Sequence, residues 1–142
     1  MNENIQTNIK IKSCNEHIGG FLGEALLKFF LKEKLIQQND NDYDITQKGW
    51  EELEIIGVDI NKLQSNNKKN VKICIESNHG ILYEHIGSNL GNLLMERMLE
   101  LQWIKKNNGN KLELTKKGLT GLESMGVRIK SFVLRKNSKF NF

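Results

Sequence analysis

The sequence predicts an α+β fold that is mostly helical and consists of two copies of one unit, each running helix, β-hairpin, helix. Two ordered sets of similar residues occur along the 142-residue chain, and apolar side chains recur at helical spacing within each set. The sequence also lacks proline, which would interrupt a helix by removing a backbone donor. These observations predict a duplicated organisation.

The duplication begins at the tetrapeptide EHIG of residues 16–19, which recurs at 84–87. Further identical or similar residues follow at an offset of 68, which becomes 69 after the hairpin turn. We call the two units, 14–60 and 82–129, repeat one and repeat two. The domain prediction is 1–60 for an acidic first repeat, 61–81 for a linker with a candidate strand, and 82–142 for a second repeat with a basic tail.

The first helix of each unit is predicted from apolar positions, from His17 to Ile36 in repeat one and from Ile86 to Ile104 in repeat two. A short strand overlaps the end of each helical pattern and leads into a turn of Asn, Asp and Gly residues, typical of a hairpin. These turns lie at 39–42 and 107–110.

The second helix of each unit is predicted to start after Thr46 or Thr115, since threonine is a favourable N-cap residue. It is predicted to end near Gly57 or Gly126, where glycine suits a C-terminal cap. Alternating apolar residues predict two further strands, each preceding one repeat; whether they pair with each other is left open. They lie at 9–12 and 71–76.

The repeated motifs resemble those of a known family. Residues 14–23 (CNEHIGGFLG) resemble C-x-[DE]-H-L-A-G-x-L-G, and 85–91 resemble its H-L-A-G-x-L-G part. Residues 102–104 (QWI) resemble G-W-L, and 46–49 and 115–118 resemble T-P-A-G. In this order the motifs resemble the C-terminal half of a subset of ArsR-family winged-helix transcriptional regulators. The resemblance implies two winged-helix-like repeats and a role in transcription regulation.

The resemblance also has departures. Members of that subset carry a DNA-binding winged helix ahead of the tandem, and 13 residues precede Cys14 here. The family's C-x-D-W-[ST]-E-R segment is replaced by CIESNH at 74–79, without the Trp or Arg. The chain therefore resembles the half that is not the main DNA reader, either as a separate product or as a fragment of a longer regulator.

The net charge of +4 is unevenly distributed along the chain. Repeat one has ten acidic and four basic residues, a net charge of −6, whereas 61–81, repeat two and 130–142 carry +3, +2 and +4. Because phosphate neutralisation dominates DNA affinity, repeat one is a poor DNA-binding surface. The predicted DNA-binding residues are Lys105, Lys106, Lys111, Lys116, Lys117, Lys130, Arg135 and Lys136. The alternative is that they form only a solvated basic face.

Cys14 and His17 have the spacing of metal ligands, and Cys74, His79 and His85 are the other soft or borderline donors. The predicted metal-binding set is Cys14, His17, Cys74 and His85, in which the two histidines hold equivalent repeat positions. The alternative is that the histidines form hydrogen bonds at helix starts and that the cysteines are small buried apolar residues.

The function predicted from the sequence is a non-enzymatic module of a transcriptional regulator, acting through dimerisation and effector sensing, with auxiliary DNA contact. A free-standing winged-helix repressor and a metal- or thiol-responsive sensor are the alternatives. No catalytic motif is present, so no catalytic residue is predicted. The expected partners are a second copy of the chain, DNA and a small-molecule effector. The expected location is the cytoplasm, because two cysteines do not make the disulfide framework of a secreted protein. No membrane span is expected, because no apolar run approaches the roughly 20 residues that a span needs.

Overall fold

The computed structural model describes residues 9–14, 16–64, 70–78, 80–107 and 111–129. The first half contains β1 (Ile9–Ile11), β2 (Ser13–Cys14), β3 (His17–Ile18), α1 (Gly20–Lys32), β4 (Ile36–Asn39), β5 (Asp42–Ile45), α2 (Gln47–Ile56) and α3 (Ile60–Gln64). The second half contains β6 (Lys72–Asn78), β7 (Ile81–Gly87), α4 (Ser88–Glu100), β8 (Ile104–Lys106), β9 (Leu112–Leu114) and α5 (Lys116–Met125).

The prediction of mostly helical, winged-helix-like repeats is wrong, because the α+β fold is a mixed one with many antiparallel strands. Helices form 47% and strands 32% of the described residues. Much of the difference comes from two antiparallel hairpins, β2–β3 and β6–β7, that precede the long helices. The predicted helix starts at His17 and Ile86 are also wrong, because both residues lie in strands. Apolar residues on either side of a strand-to-helix junction had imitated one continuous helical pattern.

The junction between strand and long helix has an unusual backbone conformation in both halves. Gly20 and Ser88, which are 68 residues apart, both have a φ of +60°. This left-handed conformation is readily adopted by glycine and less often by serine. It turns the chain sharply, so that β3 and β7 end where α1 and α4 begin.

Backbone pairing links the two halves at two places. The strand β1, which precedes repeat one, pairs with β9 of repeat two and extends the β8–β9 hairpin to three strands. In the reverse sense Val71, which precedes β6, forms an antiparallel bridge with Tyr43 in the β4–β5 hairpin of repeat one. The strands predicted at 9–12 and 71–76 therefore exist, but they do not pair with each other: β1 pairs with β9, and β6 pairs with β7.

A single hydrophobic core spans both halves. Helix α1 packs on β7, and helix α4 packs on β3. Leu22 and Leu90, at equivalent positions of the two helices, are both completely buried. Burying a leucine side chain contributes about 1.5–3 kcal/mol, so the interface between the repeats is a substantial part of the stability of the fold. Within the described residues, no helix is long and apolar enough to cross a membrane.

The second helices follow the sequence prediction closely. The hydroxyl oxygens of Thr46 and Thr115 accept hydrogen bonds from the backbone N–H of Gly49 and Gly118, which confirms both predicted N-caps. Gly57 and Gly126 adopt left-handed conformations just after the last helical residues, which confirms both predicted ends.

We expect Thr115→Ala to lower the free energy of unfolding by about 1–2 kcal/mol, because the cap bond to Gly118 is lost. The Thr115 hydroxyl also donates to the carbonyl oxygens of Gln102 and Trp103, at 2.7 and 3.0 Å, so the loss should fall at the upper end. Urea denaturation measures the change. Ser124→Ala on the exposed side of the same helix is the control, and an equal loss in both variants would contradict the capping role.

Candidate metal centre

Each half carries one cysteine and one histidine as a cross-strand pair. In the β2–β3 hairpin Cys14 lies opposite His17, and in the β6–β7 hairpin Cys74 lies opposite His85. Directly opposed residues project from the same face of a hairpin, with Cβ atoms about 4.5–5.5 Å apart. Strand pairing therefore presents one thiol and one imidazole together on each hairpin.

The packing of the two halves brings these pairs together. One ligand atom from each of Cys14, His17, Cys74 and His85 lies within 4.8 Å of the others. The two sulfur atoms are 3.9 Å apart, and the imidazole rings have centroids 5.7 Å apart at an interplanar angle of 55°. The four residues predicted as a metal-binding set thus form one cluster at the junction of the repeats.

The two histidines fit into the cluster because the residues packed against them are glycines, which have no Cβ atom. A Cβ atom on Gly23 of α1 would lie 2.8 Å from the Cβ of His85 and would also overlap the carbonyl oxygen of Ile18. A Cβ atom on Gly91, the equivalent residue of α4, would lie 3.0 Å from the His17 ring and overlap the carbonyl oxygen of Ile86. Each repeat therefore accommodates the histidine of the other.

Glu76 is also part of the site and was not predicted from the sequence. Its Oε1 atom accepts a hydrogen bond of 2.7 Å from the backbone N–H of Gly20 and lies 3.4 Å from the Nδ1 of His85. A carboxylate beside the outer nitrogen of a histidine orients the ring and increases its basicity as a ligand. A signal was present in the sequence, since C-x-E occurs at 14–16 and again at 74–76.

Burial favours the neutral form of the two imidazoles. Desolvation lowers the pKa of His85, and the charge of Glu76 only partly opposes this effect. Desolvation likewise lowers the pKa of His17, with Asn92 and Glu16 acting in the opposite direction. Neutral imidazole is the form that binds metals. Burial, followed by the neighbouring Cys74, raises the pKa of the Cys14 thiol.

Several nitrogen atoms of the site have no hydrogen-bond partner among the described residues. They are Nδ1 of His17 and both ring nitrogens of His85, a residue whose side chain is completely buried. The Nδ1 atom of His85 has only the long contact of 3.4 Å with Glu76. Buried polar atoms are nearly always satisfied, because an unpaired one costs about 1–3 kcal/mol. Buried nitrogens without hydrogen bonds, in a cluster with two thiols, indicate a site for an additional group.

The distance between the two sulfur atoms matches that of a tetrahedral centre. Two sulfur ligands at about 2.3 Å from a zinc ion are separated by about 3.8 Å, the edge of the tetrahedron. The observed separation of the Cys14 and Cys74 sulfur atoms is 3.9 Å. Two sulfur and two nitrogen donors in a tetrahedral arrangement are typical of zinc, whereas calcium and magnesium prefer oxygen.

The lowered histidine pKa values predict a loss of stability in acid for the metal-free chain. Below about pH 6.5 the unfolded chain protonates its histidines, whereas buried His17 and His85 resist protonation. The unfolded state then binds more protons, so the free energy of unfolding falls as the pH drops. Urea denaturation at pH 7.5 and 5.5, in the presence of a chelator, measures this fall. A His17→Gln, His85→Gln double variant should show a smaller fall in the free energy of unfolding. A fall as large as that of the parent chain would contradict the assignment of the effect to these two histidines.

The predicted DNA-binding residues are only partly brought together. Lys105 and Lys106 on β8 and Lys117 at the start of α5 line an open cleft of about 450 Å³, with Thr115 at its wall. Lys111 and Lys116 are exposed on the same hairpin and helix. Three further predicted residues lie outside the described residues, as does His79: Lys130, Arg135 and Lys136.

Taken together, the architecture is that of a mixed α+β protein with a Cys2His2 donor set where its two halves meet. The chain is 27% identical over 95 residues to a Bacillus subtilis protein called "Uncharacterized HTH-type transcriptional regulator YdfF". The similarity covers 66% of this chain, and the chain spans 40% of the length of that relative. No model of a known protein family matches the chain. No solved structure is significantly similar to it.

Proposed function

We propose that this chain is a metal-responsive module of a transcriptional regulator, which binds one zinc ion between its two repeats. The observation that carries the proposal is the convergence of Cys14, His17, Cys74 and His85 within 4.8 Å. The similarity to a protein named as an HTH-type transcriptional regulator supports the regulatory role. The ion acts as the effector, because it joins ligands from two halves of the chain and so changes how firmly the halves are held together.

In the metal-bound state each cross-strand pair supplies one thiolate and one neutral imidazole. Binding would release the thiol protons of Cys14 and Cys74, and the doubly charged ion would balance the charges of the two thiolates that form. Glu76 orients His85 through its Nδ1 atom, which leaves the Nε2 atom for the metal. The chain's contribution is therefore a preformed donor set, with one ligand already oriented by a buried carboxylate.

The test is a zinc titration of the reduced chain against a chromogenic chelator. We expect one zinc ion per chain, and a loss of affinity of at least about 100-fold in Cys14→Ser, Cys74→Ser and His85→Gln. His79→Gln removes the third histidine of the chain and serves as the matched control, with unchanged binding. Failure of the reduced chain to take up a stoichiometric amount of zinc would overturn the proposal.

A second candidate function, DNA contact by repeat two, is favoured by the cleft between β8 and α5. Exposed Lys105 and Lys106 face this cleft, whereas the equivalent positions of repeat one hold Gln37 and Gln38. Lysines around an open cleft can neutralise phosphates along a nucleic-acid backbone. An ArsR-like assignment and a homodimer are finer proposals that rest on the repeated sequence motifs.

Fluorescence anisotropy with duplex DNA at two salt concentrations tests the DNA contact. If these lysines bind phosphates, Lys105→Glu with Lys106→Glu should weaken binding at least about tenfold and reduce the salt dependence. Lys32→Glu with Lys34→Glu makes the same charge change on repeat one and should have a smaller effect. Equal weakening by both pairs would show only a response to net charge, which would argue against a defined DNA-binding face.

A further inference from the structure

We propose that Cys14 and Cys74 form a reversible disulfide bond that excludes the metal, so that the centre also responds to oxidants. This inference rests on the proposed zinc site and concerns its regulation. The sulfur atoms of Cys14 and Cys74 are 3.9 Å apart across the junction of the repeats, and both thiols are free. These are the only two cysteines of the chain, so an intramolecular disulfide has a single possible pairing.

The metal-bound and disulfide states exclude each other for geometric reasons. Tetrahedral zinc holds its two sulfur ligands about 3.8 Å apart, whereas bonded sulfur atoms are about 2.05 Å apart. The observed separation of 3.9 Å is close to the metal-bound value, and bond formation requires an approach of nearly 2 Å. Once bonded, the two sulfur atoms no longer carry the thiolate charges that bind the ion.

The surroundings of the two cysteines allow this approach. Both side chains are only partly buried, in contrast to completely buried His85 on the same hairpin as Cys74. A small oxidant therefore reaches the sulfur atoms without unfolding the chain. Cys14 lies on β2, a strand of two residues, which is held by fewer cross-strand contacts than the seven-residue strand β6 that carries Cys74. The movement is therefore expected mainly in the short hairpin.

The oxidant that balances the reaction is hydrogen peroxide, with one proton from solvent taken up in each of two steps. In the metal-free chain one thiolate attacks the peroxide oxygen and becomes a sulfenic acid, while the O–O bond breaks and water is released. The second thiolate then attacks this sulfur and expels the hydroxyl group as water. Two sulfur atoms lose one electron each, and the peroxide takes up both. In the zinc-bound chain the same products form together with one free zinc ion.

The experiment treats the full reduced chain with hydrogen peroxide, once free of metal and once loaded with zinc. Intact mass should fall by about 2 Da with the chain still monomeric, and peptide mapping should join the segments around Cys14 and Cys74. The zinc-loaded sample should release one equivalent of zinc to a chromogenic chelator, and a dithiol should restore both thiols and zinc binding. We expect bound zinc to slow oxidation at least about threefold, because it occupies the sulfur electron pairs.

Two comparisons decide the result. The Cys14→Ser variant should stay a monomer, and its mass should not fall by 2 Da. Serine has nearly the same side-chain volume as cysteine, so the packing is preserved. The inference is overturned if peroxide yields over-oxidised thiols or linked dimers instead of the internal disulfide, or if the oxidised chain keeps its zinc. If the reduced chain takes up no zinc, the proposed function fails, while the metal-free sample still tests the disulfide.

Discussion

Zinc is expected to raise the free energy of unfolding of this chain by about 4 kcal/mol when it is present at roughly a thousand times its dissociation constant. The physical reason is that Cys14 and His17 lie on one hairpin and Cys74 and His85 on another, so that one ion links both halves. The unfolded chain has no such preformed donor set. Thermal or urea denaturation with zinc, compared with the same experiment in a chelator, measures the difference.

The control for this prediction is the Cys14→Ser, Cys74→Ser double variant. Its metal-free stability should stay close to that of the parent, because serine is nearly the same size and both positions are only partly buried. Its response to zinc should be lost, because the serine hydroxyl is not a thiolate. An equal stabilisation of parent and variant by zinc would place the binding elsewhere and contradict the proposed centre.

Gly91→Ala is expected to lower the free energy of unfolding by about 3 kcal/mol, at the upper end of the cost of overpacking a core. Its Cβ atom would overlap the carbonyl oxygen of Ile86 and lie 3.0 Å from the ring of His17. The carbonyl oxygen belongs to the backbone of β7 and cannot rotate away. His17 would be displaced from the cluster, so zinc affinity should also fall, by at least about tenfold.

Gly80→Ala is the matched control for this substitution. Gly80 lies in the turn between β6 and β7, and a Cβ atom there would meet nothing within 4 Å. Its φ of +78° makes alanine unfavourable by about 1 kcal/mol, without any effect on the donors. Chemical denaturation and chelator competition measure both quantities. A Gly91→Ala loss no larger than that of Gly80→Ala, with zinc affinity unchanged, would contradict the packing argument.

Local signals in the sequence were sufficient for the second helices and for the two hairpins that precede them. A threonine cap and a terminal glycine act within one or two helical turns, so Thr46 and Gly57 could be interpreted without knowledge of the tertiary structure. The start of the first helix could not be interpreted in this way, because Ile18 and Leu22 suit both a continuous helix and a strand followed by a helix. The choice between these two structures depends on tertiary pairing, namely on the hairpin of β6 and β7. This hairpin is longer than its counterpart, which β2 and β3 form.

The candidate centre was predictable in its members and unpredictable in its geometry. Residue type and spacing selected Cys14, His17, Cys74 and His85. Their convergence depends on strand register and on the packing of α1 and α4, which no local pattern determines. Glu76 was missed because its partner Gly20 is 56 residues away. Four statements stay predictions: the cluster binds a metal, the chain is not an enzyme, it pairs with a second copy, and it lies in the cytoplasm.

The pairing of β1 with β9 has a consequence for how this chain can be divided. The strand β1 precedes repeat one, yet it forms the edge of the β8–β9 hairpin in the second half, whereas a single bridge between Val71 and Tyr43 links the halves in the reverse sense. A second half cut away from β1 would expose unpaired backbone groups along β9. Such a fragment is therefore expected to associate edge to edge with its own copies, so the boundary between the two halves is a poor place to divide the protein.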